Sequence, residues 1–186
     1  MQTLLVSLAV LLNFNLIAAS TSSTIYIIRH GEKKWALGCL NSNGKKRASL
    51  LPNIFNNSQP FLTPTNIFAN YYDDGIDCER CIETVTPIAK DLNLAVNSSL
   101  GYNKKLGGNK LAAQVMRRKI LASPLPLVLL VAWEHFNIQF LTEALGVQSN
   151  KIPSWSGSDY DTVYILEFNA TAHLTSFVIS AENIKP

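Results

Sequence analysis

The chain has 186 residues, of which 47% are hydrophobic and 16% are charged. This composition excludes an intrinsically disordered protein and fits one globular domain with a hydrophobic core. The net charge of +3 comes from cationic residues in short, scattered groups, so the sequence does not indicate a nucleic-acid-binding protein.

The N-terminal stretch has the features of a secretory signal peptide. Residues 1–20 contain no charged side chain, Leu4 to Leu12 form an apolar block, and small residues follow at 18–20. Such a segment is typically removed during export, and no later segment is apolar enough to span a bilayer. We therefore predict a cleaved signal peptide at 1–20, a mature domain at 21–186, and a secreted protein without membrane contact.

The cysteines and the glycosylation sequons agree with export. Cys39 could pair with Cys78 or with Cys81 in an oxidising compartment, and the sequence leaves both pairings open. The spacing of Cys78 and Cys81 would suit zinc, but no second pair and no nearby histidine accompany them, so no metal is predicted. N-x-S/T sequons, which are acceptors for N-linked glycans, occur at Asn56, Asn97 and Asn169.

Alternating strand and helix patterns indicate an α/β protein. Apolar or alternating runs predict strands at 24–28, 66–70, 94–96 and 126–132 and a hairpin at 162–168 and 174–179. Helical spacing predicts helices at 44–51, 79–92, 110–121 and 135–145. Pro52 is expected to end the first helix, Pro87 to kink the second or reset its start, and 97–109 to form a loop. The alternation predicts a three-layer α/β/α sandwich with a mostly parallel central sheet.

Two of the predicted buried strands run directly into a histidine. The first is followed by Arg29 and His30, and the strand at 126–132 is followed by Trp133, Glu134 and His135. Ligands of open α/β sheets bind beyond the carboxyl ends of the strands, so both imidazoles are expected in one crevice. Either histidine alone would be interpreted as a core or capping residue, whereas the pair, with Arg29 and Glu134 beside it, indicates a functional site.

Arg80 lies at the beginning of the predicted helix at 79–92. A cation gains nothing from the helix dipole at that end, because the dipole favours anions there. The position makes sense if Arg80 and the helix N-terminus hold an anion together. The alternative is a solvent-facing arginine, and the local sequence does not decide between the two.

Several segments resemble those of the histidine phosphatase superfamily, which includes phosphoglycerate mutases and acid phosphatases. The R-H-G-E sequence at 29–32, after a buried strand, resembles the RHG signature of that family. Gly44-x-x-Arg47-Ala48 is similar to its first helix, and the segment at 80–87 to the one that carries its second core arginine. The strand that ends at His135 resembles the one with the second core histidine, and 155–161 resembles the end of small microbial and fungal members.

The resemblance implies a phosphoglycerate mutase-like fold and a metal-independent phosphomonoester hydrolase. Arg29 and Arg80 would bind phosphoryl oxygens, and His30 would attack phosphorus to form a phosphohistidine. A carbonyl near Gly31 would hold the other ring nitrogen of His30, and His135 would donate to a phosphoryl oxygen. No cofactor is implied, the partner would be a small phosphorylated substrate, and the oligomeric state is left open.

The resemblance leaves the proton donor open. Many relatives have glycine beside the second histidine, whereas Glu134 precedes it here, and Glu134 is our first choice for protonating the leaving oxygen. Glu32 is the runner-up, and Asp159 or Asp161 remains an alternative. Two other functions are considered, a non-catalytic phosphate-binding relative and a phosphomutase; the short chain and the predicted export argue against the mutase.

Overall fold

A computed structural model describes residues 22–35, 38–58, 60–71, 79–101 and 108–185. The predicted signal peptide and Cys78 lie outside these ranges. The strands are β1 (Ser23–Arg29), β2 (Asn66–Tyr71), β3 (Val96–Gly101), β4 (Val128–Trp133), β5 (Thr162–Phe168) and β6 (Leu174–Ala181). The helices are α1 (Ser42–Ile54), α2 (Arg80–Asp91), α3 (Asn109–Leu121) and α4 (His135–Ala144).

The strands form one mixed sheet in the order β3-β2-β4-β1-β5-β6. The pairs β1–β4, β2–β4 and β2–β3 are parallel, whereas β5 runs antiparallel to both β1 and β6. In the central pair, Thr24 lies opposite Val128 and Arg29 lies opposite Trp133. The carboxyl ends of β1 and β4 therefore meet at the same edge of the sheet, which is the position that the sequence predicted for the site.

Helices cover both faces of the sheet and make the predicted three layers. Tyr26 and Ile28 of β1 pack in the core beneath α1 and α2, whereas Ile25 and Ile27 pack in the core beneath α3 and α4. All of β1 is buried, because a central strand in a three-layer protein has no solvent-facing side. None of the helices in the described ranges is long and apolar enough to cross a membrane.

Two prolines lie inside helices, which corrects the sequence-based boundaries. The first helix does not end at Pro52 but runs on to Ile54, and Pro87 lies inside α2 without resetting its start. A proline removes one backbone hydrogen bond. Burial of the adjacent apolar side chains, Leu51 beside Pro52 and Ile88 beside Pro87, offsets that loss.

The edge strand β3 extends through a segment that was predicted to be a loop. The prediction placed the strand at 94–96, whereas the structure places it at Val96–Gly101, parallel to β2. Asn97 and Ser99 are exposed and Leu100 is buried. An edge strand tolerates polar side chains, because one of its long sides has no neighbouring strand and faces solvent.

A buried charge cluster joins α1 to the end of the sheet. Arg47 is 4% exposed and donates to both carboxylate oxygens of Glu32 at 3.3 Å and to Glu182 at 3.0 Å. Asp161 lies 3.7 Å from the same guanidinium. Burial lowers the pKa of Arg47, but the hydrogen bonds to Glu32 raise it overall. The cluster therefore fixes α1 against the segment that follows His30.

The close approach of α1 to the segment after β1 requires two glycines, Gly31 and Gly44. A Cβ atom at Gly44 would collide with the carbonyl oxygen of Glu32, and one at Gly31 would lie 3.0 Å from the Gly44 Cα. Both clashes are with backbone atoms, which cannot rotate away. The two glycines thus let the N-terminal turn of α1 approach the peptide next to His30.

Glu182→Gln is expected to change the pH dependence of stability. Burial raises the pKa of the Glu182 carboxyl from 4.5 to about 8, Arg47 opposes this, and Asp161 and Glu32 add to it. Between these pH values the folded state keeps a proton that the unfolded chain has released. The stabilising contribution is therefore complete below about pH 4.5 and is lost as the pH rises through about 8.

Thermal unfolding from about pH 5 to about pH 9 measures this effect. The Tm of the Glu182→Gln variant, relative to the unchanged protein, should rise with pH. Gln148→Ala, at an exposed position with a side chain that does not titrate, is the control and should give a constant difference. A constant difference for Glu182→Gln as well would contradict the prediction.

Candidate active site

His30 lies at the carboxyl end of β1 and is 2% exposed. Its Nδ1 is 2.8 Å from the carbonyl oxygen of Gly31, and because a carbonyl only accepts hydrogen bonds, Nδ1 carries the proton. Its Nε2 accepts a hydrogen bond from Arg80 Nε at 3.1 Å and is therefore unprotonated. The Gly31 amide donates to Thr84 Oγ1 at 2.8 Å, which helps to hold the residue whose carbonyl orients the imidazole.

The surroundings of His30 keep its ring neutral. Burial lowers the pKa of His30 to about 3; the hydrogen bond to Gly31 raises it, and the positive charges of Arg80, Arg29 and Lys33 lower it further. Since the ring is neutral and Nδ1 holds its one proton, Nε2 is unprotonated at neutral pH, and its lone pair accepts the hydrogen bond from Arg80. This is the protonation state that a nucleophilic histidine requires.

The protonation state of His30 can be measured directly. Nitrogen-15 NMR of histidine-labelled protein should show the neutral Nδ1–H tautomer of His30 at about pH 5, where an ordinary histidine is mostly charged. Because the pKa is depressed in the folded state, the stability from this group is complete above about pH 6.5 and is lost as the pH falls toward 3. A His30 signal that titrates near about pH 6.5 would contradict this account.

Arg80 is the first residue of α2, and its guanidinium faces His30. The hydrogen bond from its Nε to His30 Nε2 favours the anion-binding interpretation of Arg80 over the solvent-facing one. The residue before it, Glu79, makes no side-chain hydrogen bond to cap the helix. The α2 N-terminus therefore adds its dipole to the charge of Arg80 beside the nucleophile.

Arg29 is 6% exposed, and its guanidinium is partly engaged by the chain that precedes β5. Nη1 is within 3.3 Å of the Ser156 carbonyl, 2.8 Å of that of Gly157 and 2.9 Å of that of Asp159, and Nη2 donates to the Tyr160 hydroxyl at 3.2 Å. The buried Nε has no hydrogen-bond partner in the described ranges. An unpaired buried donor is costly, which makes Nε a candidate donor to a ligand oxygen.

His135 is the first residue of α4, as the sequence predicted, and it joins the site through a loop. Its Nε2 donates to the Trp155 carbonyl at 3.1 Å, and Trp155 Nε1 donates to the Asp159 carbonyl that Arg29 also contacts. The expected donation from His135 to a phosphoryl oxygen is therefore not formed by Nε2 here. For His135 to donate to a phosphoryl oxygen, either Nδ1 must carry a proton and face the ligand, or the ligand must replace the Trp155 carbonyl at Nε2.

Glu134 caps α4 and retains one carboxylate oxygen for other contacts. Its Oε2 accepts from the Phe136 amide and from Asn137 Nδ2, each at 2.9 Å. Its charge acts on Arg29 and helps to hold that guanidinium protonated, although burial lowers the pKa of Arg29 overall. Oε1 has no hydrogen bond within the described part of the chain, so the carboxyl can serve a second group near Arg29.

The other carboxyl groups considered as proton donors have structural contacts. Glu32 and Asp161 both face Arg47 in the charge cluster. Asp159 accepts from the amide and the hydroxyl of Thr162. Burial alone would raise the pKa of Asp159, but these hydrogen bonds lower it overall. A carboxyl that is held ionised is a poor general acid, which argues against Asp159. Glu32 and Asp161 are engaged by Arg47, and Glu134 remains our candidate.

Two parts of the site had no signal in the sequence analysis. The carbonyl oxygens at 156–159 that contact Arg29 belong to the backbone, and a backbone acceptor has no residue type to reveal it. Thr84 was noted only as part of a resembling segment, yet its hydroxyl is the buried acceptor for the Gly31 amide and donates to the Arg80 carbonyl at 2.7 Å. It therefore connects the two residues that contact His30.

The cysteines do not form part of this site. Cys39 takes part in a disulfide bond, whereas Cys81 is a fully buried thiol in the core beneath α1 and α2. Within the described ranges no cluster of three or more histidine, cysteine, aspartate or glutamate side chains could hold a metal ion.

The fold matches solved structures of several phosphatases and of a mutase. The protein histidine phosphatase SixA, complexed with tungstate, has a TM-score of 0.60 at 15% identity, over 86% of this chain and 97% of that one. A phosphoserine phosphatase variant from Entamoeba histolytica, in complex with phosphoserine, gives 0.55 at 14%, over 83% and 96%. The phosphoglycerate mutase of Plasmodium falciparum gives 0.51 at 17%, over 86% and 89%.

No protein-family model and no curated protein matches the sequence. The similarity to the solved structures is therefore one of fold, and it extends over nearly the whole length of each of them. The order of the strands and the helices on both faces of the sheet agree with it. The chain has the phosphoglycerate mutase-like α/β fold that histidine phosphatases share.

Proposed function

We propose that this chain is a metal-independent phosphomonoester hydrolase that acts through a phosphohistidine at His30. The observation that carries the proposal is the protonation state of His30, whose Nε2 is unprotonated and accepts a hydrogen bond from Arg80 while Gly31 holds Nδ1–H. A buried, neutral imidazole among fixed positive charges is suited to attack a phosphoryl group. The SixA and Entamoeba histolytica structures, which hold tungstate and phosphoserine, have the same fold.

Substrate binding would replace internal contacts of the cations with phosphoryl oxygens. The Nε of Arg29 has no acceptor and provides one donor, and the guanidinium of Arg80 provides a second group of donors beside His30. Arginine suits this role because its planar fork matches the geometry of phosphate oxygens. The same charges that lower the pKa of His30 would thus attract the dianionic substrate.

The reaction would take place in two balanced steps. When substrate binds, Arg80 moves its hydrogen bond from His30 Nε2 to a phosphoryl oxygen, and Glu134 takes up a proton on Oε1. His30 Nε2 then attacks phosphorus, the Nε2–P bond forms as the bond to the ester oxygen breaks, and Glu134 gives that proton to the departing oxygen. Water then attacks the phosphohistidine, Glu134 takes a proton from that water, and phosphate leaves with His30 restored. His135 and the two arginines would stabilise the charge on the phosphoryl oxygens in both steps.

Hydrolysis of p-nitrophenyl phosphate in the presence of EDTA tests this function. We expect turnover that EDTA does not reduce and that vanadate inhibits, together with a transient mass increase of one phosphoryl group on the His30 peptide. Loss of turnover on EDTA treatment, or a phosphoryl group on another residue, would contradict the proposal.

One observation favours a second candidate function, a non-catalytic phosphate-binding protein. Nη1 of Arg29 and Oε2 of Glu134 are both engaged by groups of the protein itself, as expected for a site in which structural contacts have replaced catalytic ones. Such a protein would bind phosphate or vanadate in a calorimetric titration without any turnover. The result of the hydrolysis assay therefore separates the two functions.

We also propose that the protein is secreted as a glycoprotein. This rests on the predicted signal peptide, on the disulfide bond of Cys39, which persists in oxidising compartments, and on three sequons whose asparagines are exposed, Asn56, Asn97 and Asn169. Expression in eukaryotic cells should give secreted protein that begins near residue 21 and shifts in mobility after treatment with an N-glycosidase. Retention inside the cell without a mobility shift would contradict this proposal.

A further inference from the structure

Tyr160 lies next to both residues of the R-H motif, Arg29 and His30. The Cζ atom of Arg29 is 3.9 Å from the centroid of the Tyr160 ring, and Arg29 Nη2 donates to the Tyr160 hydroxyl at 3.2 Å. The ring also meets His30 in an edge-on arrangement, with the two centroids 6.3 Å apart. One half-buried side chain therefore contacts both the nucleophile and the buried cation beside it.

The hydroxyl proton of Tyr160 is directed by the contact with Arg29. The hydroxyl oxygen accepts a hydrogen bond from Arg29 Nη2, so its own proton must point away from Arg29. That proton has no hydrogen-bond acceptor in the described part of the chain. On the guanidinium, Nη2 and Nε form one edge, and Nε is the buried donor that also has no acceptor. Two unused donors, the Arg29 Nε–H and the Tyr160 O–H, thus lie along the same edge of Arg29.

A phosphoryl group has the acceptors that these two donors lack. Its oxygens accept several hydrogen bonds at once, and a hydroxyl that already accepts a bond from a cation is a stronger donor. The ring stacked on Arg29 would keep the guanidinium plane in place when the ligand enters. Packing alone would explain the position of the Tyr160 ring. It would not explain why the hydroxyl forms its hydrogen bond at the edge of Arg29 that carries the unpaired Nε.

We propose that Tyr160 is a ligand of the phosphoryl group, with its ring positioning Arg29 and its hydroxyl donating to a phosphoryl oxygen. The proposal rests on the proposed function of the site. It adds a donor from the loop before β5 to the residues of β1, α2 and α4. It also gives that loop a role, because Tyr160 follows the carbonyls that hold Arg29 Nη1.

Inhibition of p-nitrophenyl phosphate hydrolysis by inorganic phosphate and by vanadate tests this role. Tyr160→Phe keeps the ring on Arg29 and removes only the hydroxyl, so we expect both inhibition constants to rise about 10-fold, as for the loss of one hydrogen bond to a charged ligand. Its Tm should change by less than about 3 °C. Tyr160→Leu, which also removes the ring, should weaken inhibition further and lower kcat, because Arg29 loses its support.

Tyr26→Phe is the matched control for the loss of a tyrosine hydroxyl. The hydroxyl of Tyr26 accepts from the Leu62 amide at 3.0 Å, in the core beneath α1 and α2. This variant should have a lower Tm and unchanged inhibition constants. It separates a general loss of stability from a loss of phosphate affinity.

The outcomes separate this inference from the proposed function. If the unchanged protein turns over and the inhibition constants of Tyr160→Phe lie within about twofold of those of the unchanged protein, the inference is overturned and the function stands. If the unchanged protein neither turns over nor binds phosphate, both are overturned. Should Tyr160→Leu fail to fold, the phenylalanine variant decides alone.

Discussion

Replacement of His30 by alanine is expected to reduce kcat/KM for a phosphomonoester by at least about 10³-fold, because the covalent route is lost with its nucleophile. Alanine has no counterpart to the Nε2 lone pair, which accepts from Arg80 here and would form the bond to phosphorus. Steady-state kinetics with p-nitrophenyl phosphate measure the loss. The variant should also carry no phosphoryl group after mixing with substrate.

The chain contains a matched control for this replacement. His173 is exposed on the hairpin of β5 and β6, and His173→Ala should keep kcat/KM within about twofold of the unchanged protein. Circular dichroism and the Tm of His30→Ala should show a folded protein, so that loss of activity is not loss of structure. If folded His30→Ala retains more than about a tenth of the activity, the nucleophile is another group.

Replacement of Arg80 by alanine is expected to lower kcat/KM by about 10²–10³-fold, the usual effect of removing one preorganised donor from a developing charge. Arg80→Lys keeps the charge but loses the planar fork, so a loss of about 10-fold or more is expected. Most of the loss should appear in kcat if Arg80 acts in the transition state, and most in KM if it only binds substrate. Kinetics of both variants make this distinction.

A second effect separates Arg80 from an ordinary surface arginine. The charge of Arg80 lowers the pKa of His30, so the pKa measured by NMR should rise in Arg80→Ala. Arg118→Ala, at an exposed position near the C-terminal end of α3, should change neither the kinetics nor this pKa. Equal behaviour of the Arg80 and Arg118 variants would show that Arg80 lies outside the site.

The positions of the two histidines could be predicted because they follow from strands. A continuous apolar run indicates a strand covered on both faces, and parallel neighbours deliver their carboxyl ends to one edge. The pairing of Arg29 with Trp133 places His30 and His135 there, as expected. Most of the predicted helices and strands differ from the observed ones only at their ends, because capping contacts and burial decide where a helix or strand stops.

Other features depend on contacts that local sequence does not encode. Pro52 and Pro87 are tolerated because tertiary packing outweighs one lost hydrogen bond, and β3 is polar because it lies at the edge of the sheet. Glu134 was considered as a proton donor because it is the carboxyl next to His135, yet it also caps α4. The engagement of Arg29 by carbonyl groups about 130 residues later in the chain arises only when the chain is folded.

The central claim is that Arg29, His30, Arg80 and His135 bind one phosphoryl group. A crystal structure of the protein with vanadate, which resembles the transition state of phosphoryl transfer, tests it most directly. We expect vanadium bonded to His30 Nε2, with nitrogen atoms of the other three residues within about 3.2 Å of vanadate oxygens. Vanadate bound at another place, or bound at His30 with the His135 ring or the Arg80 guanidinium directed away from it, would contradict the account.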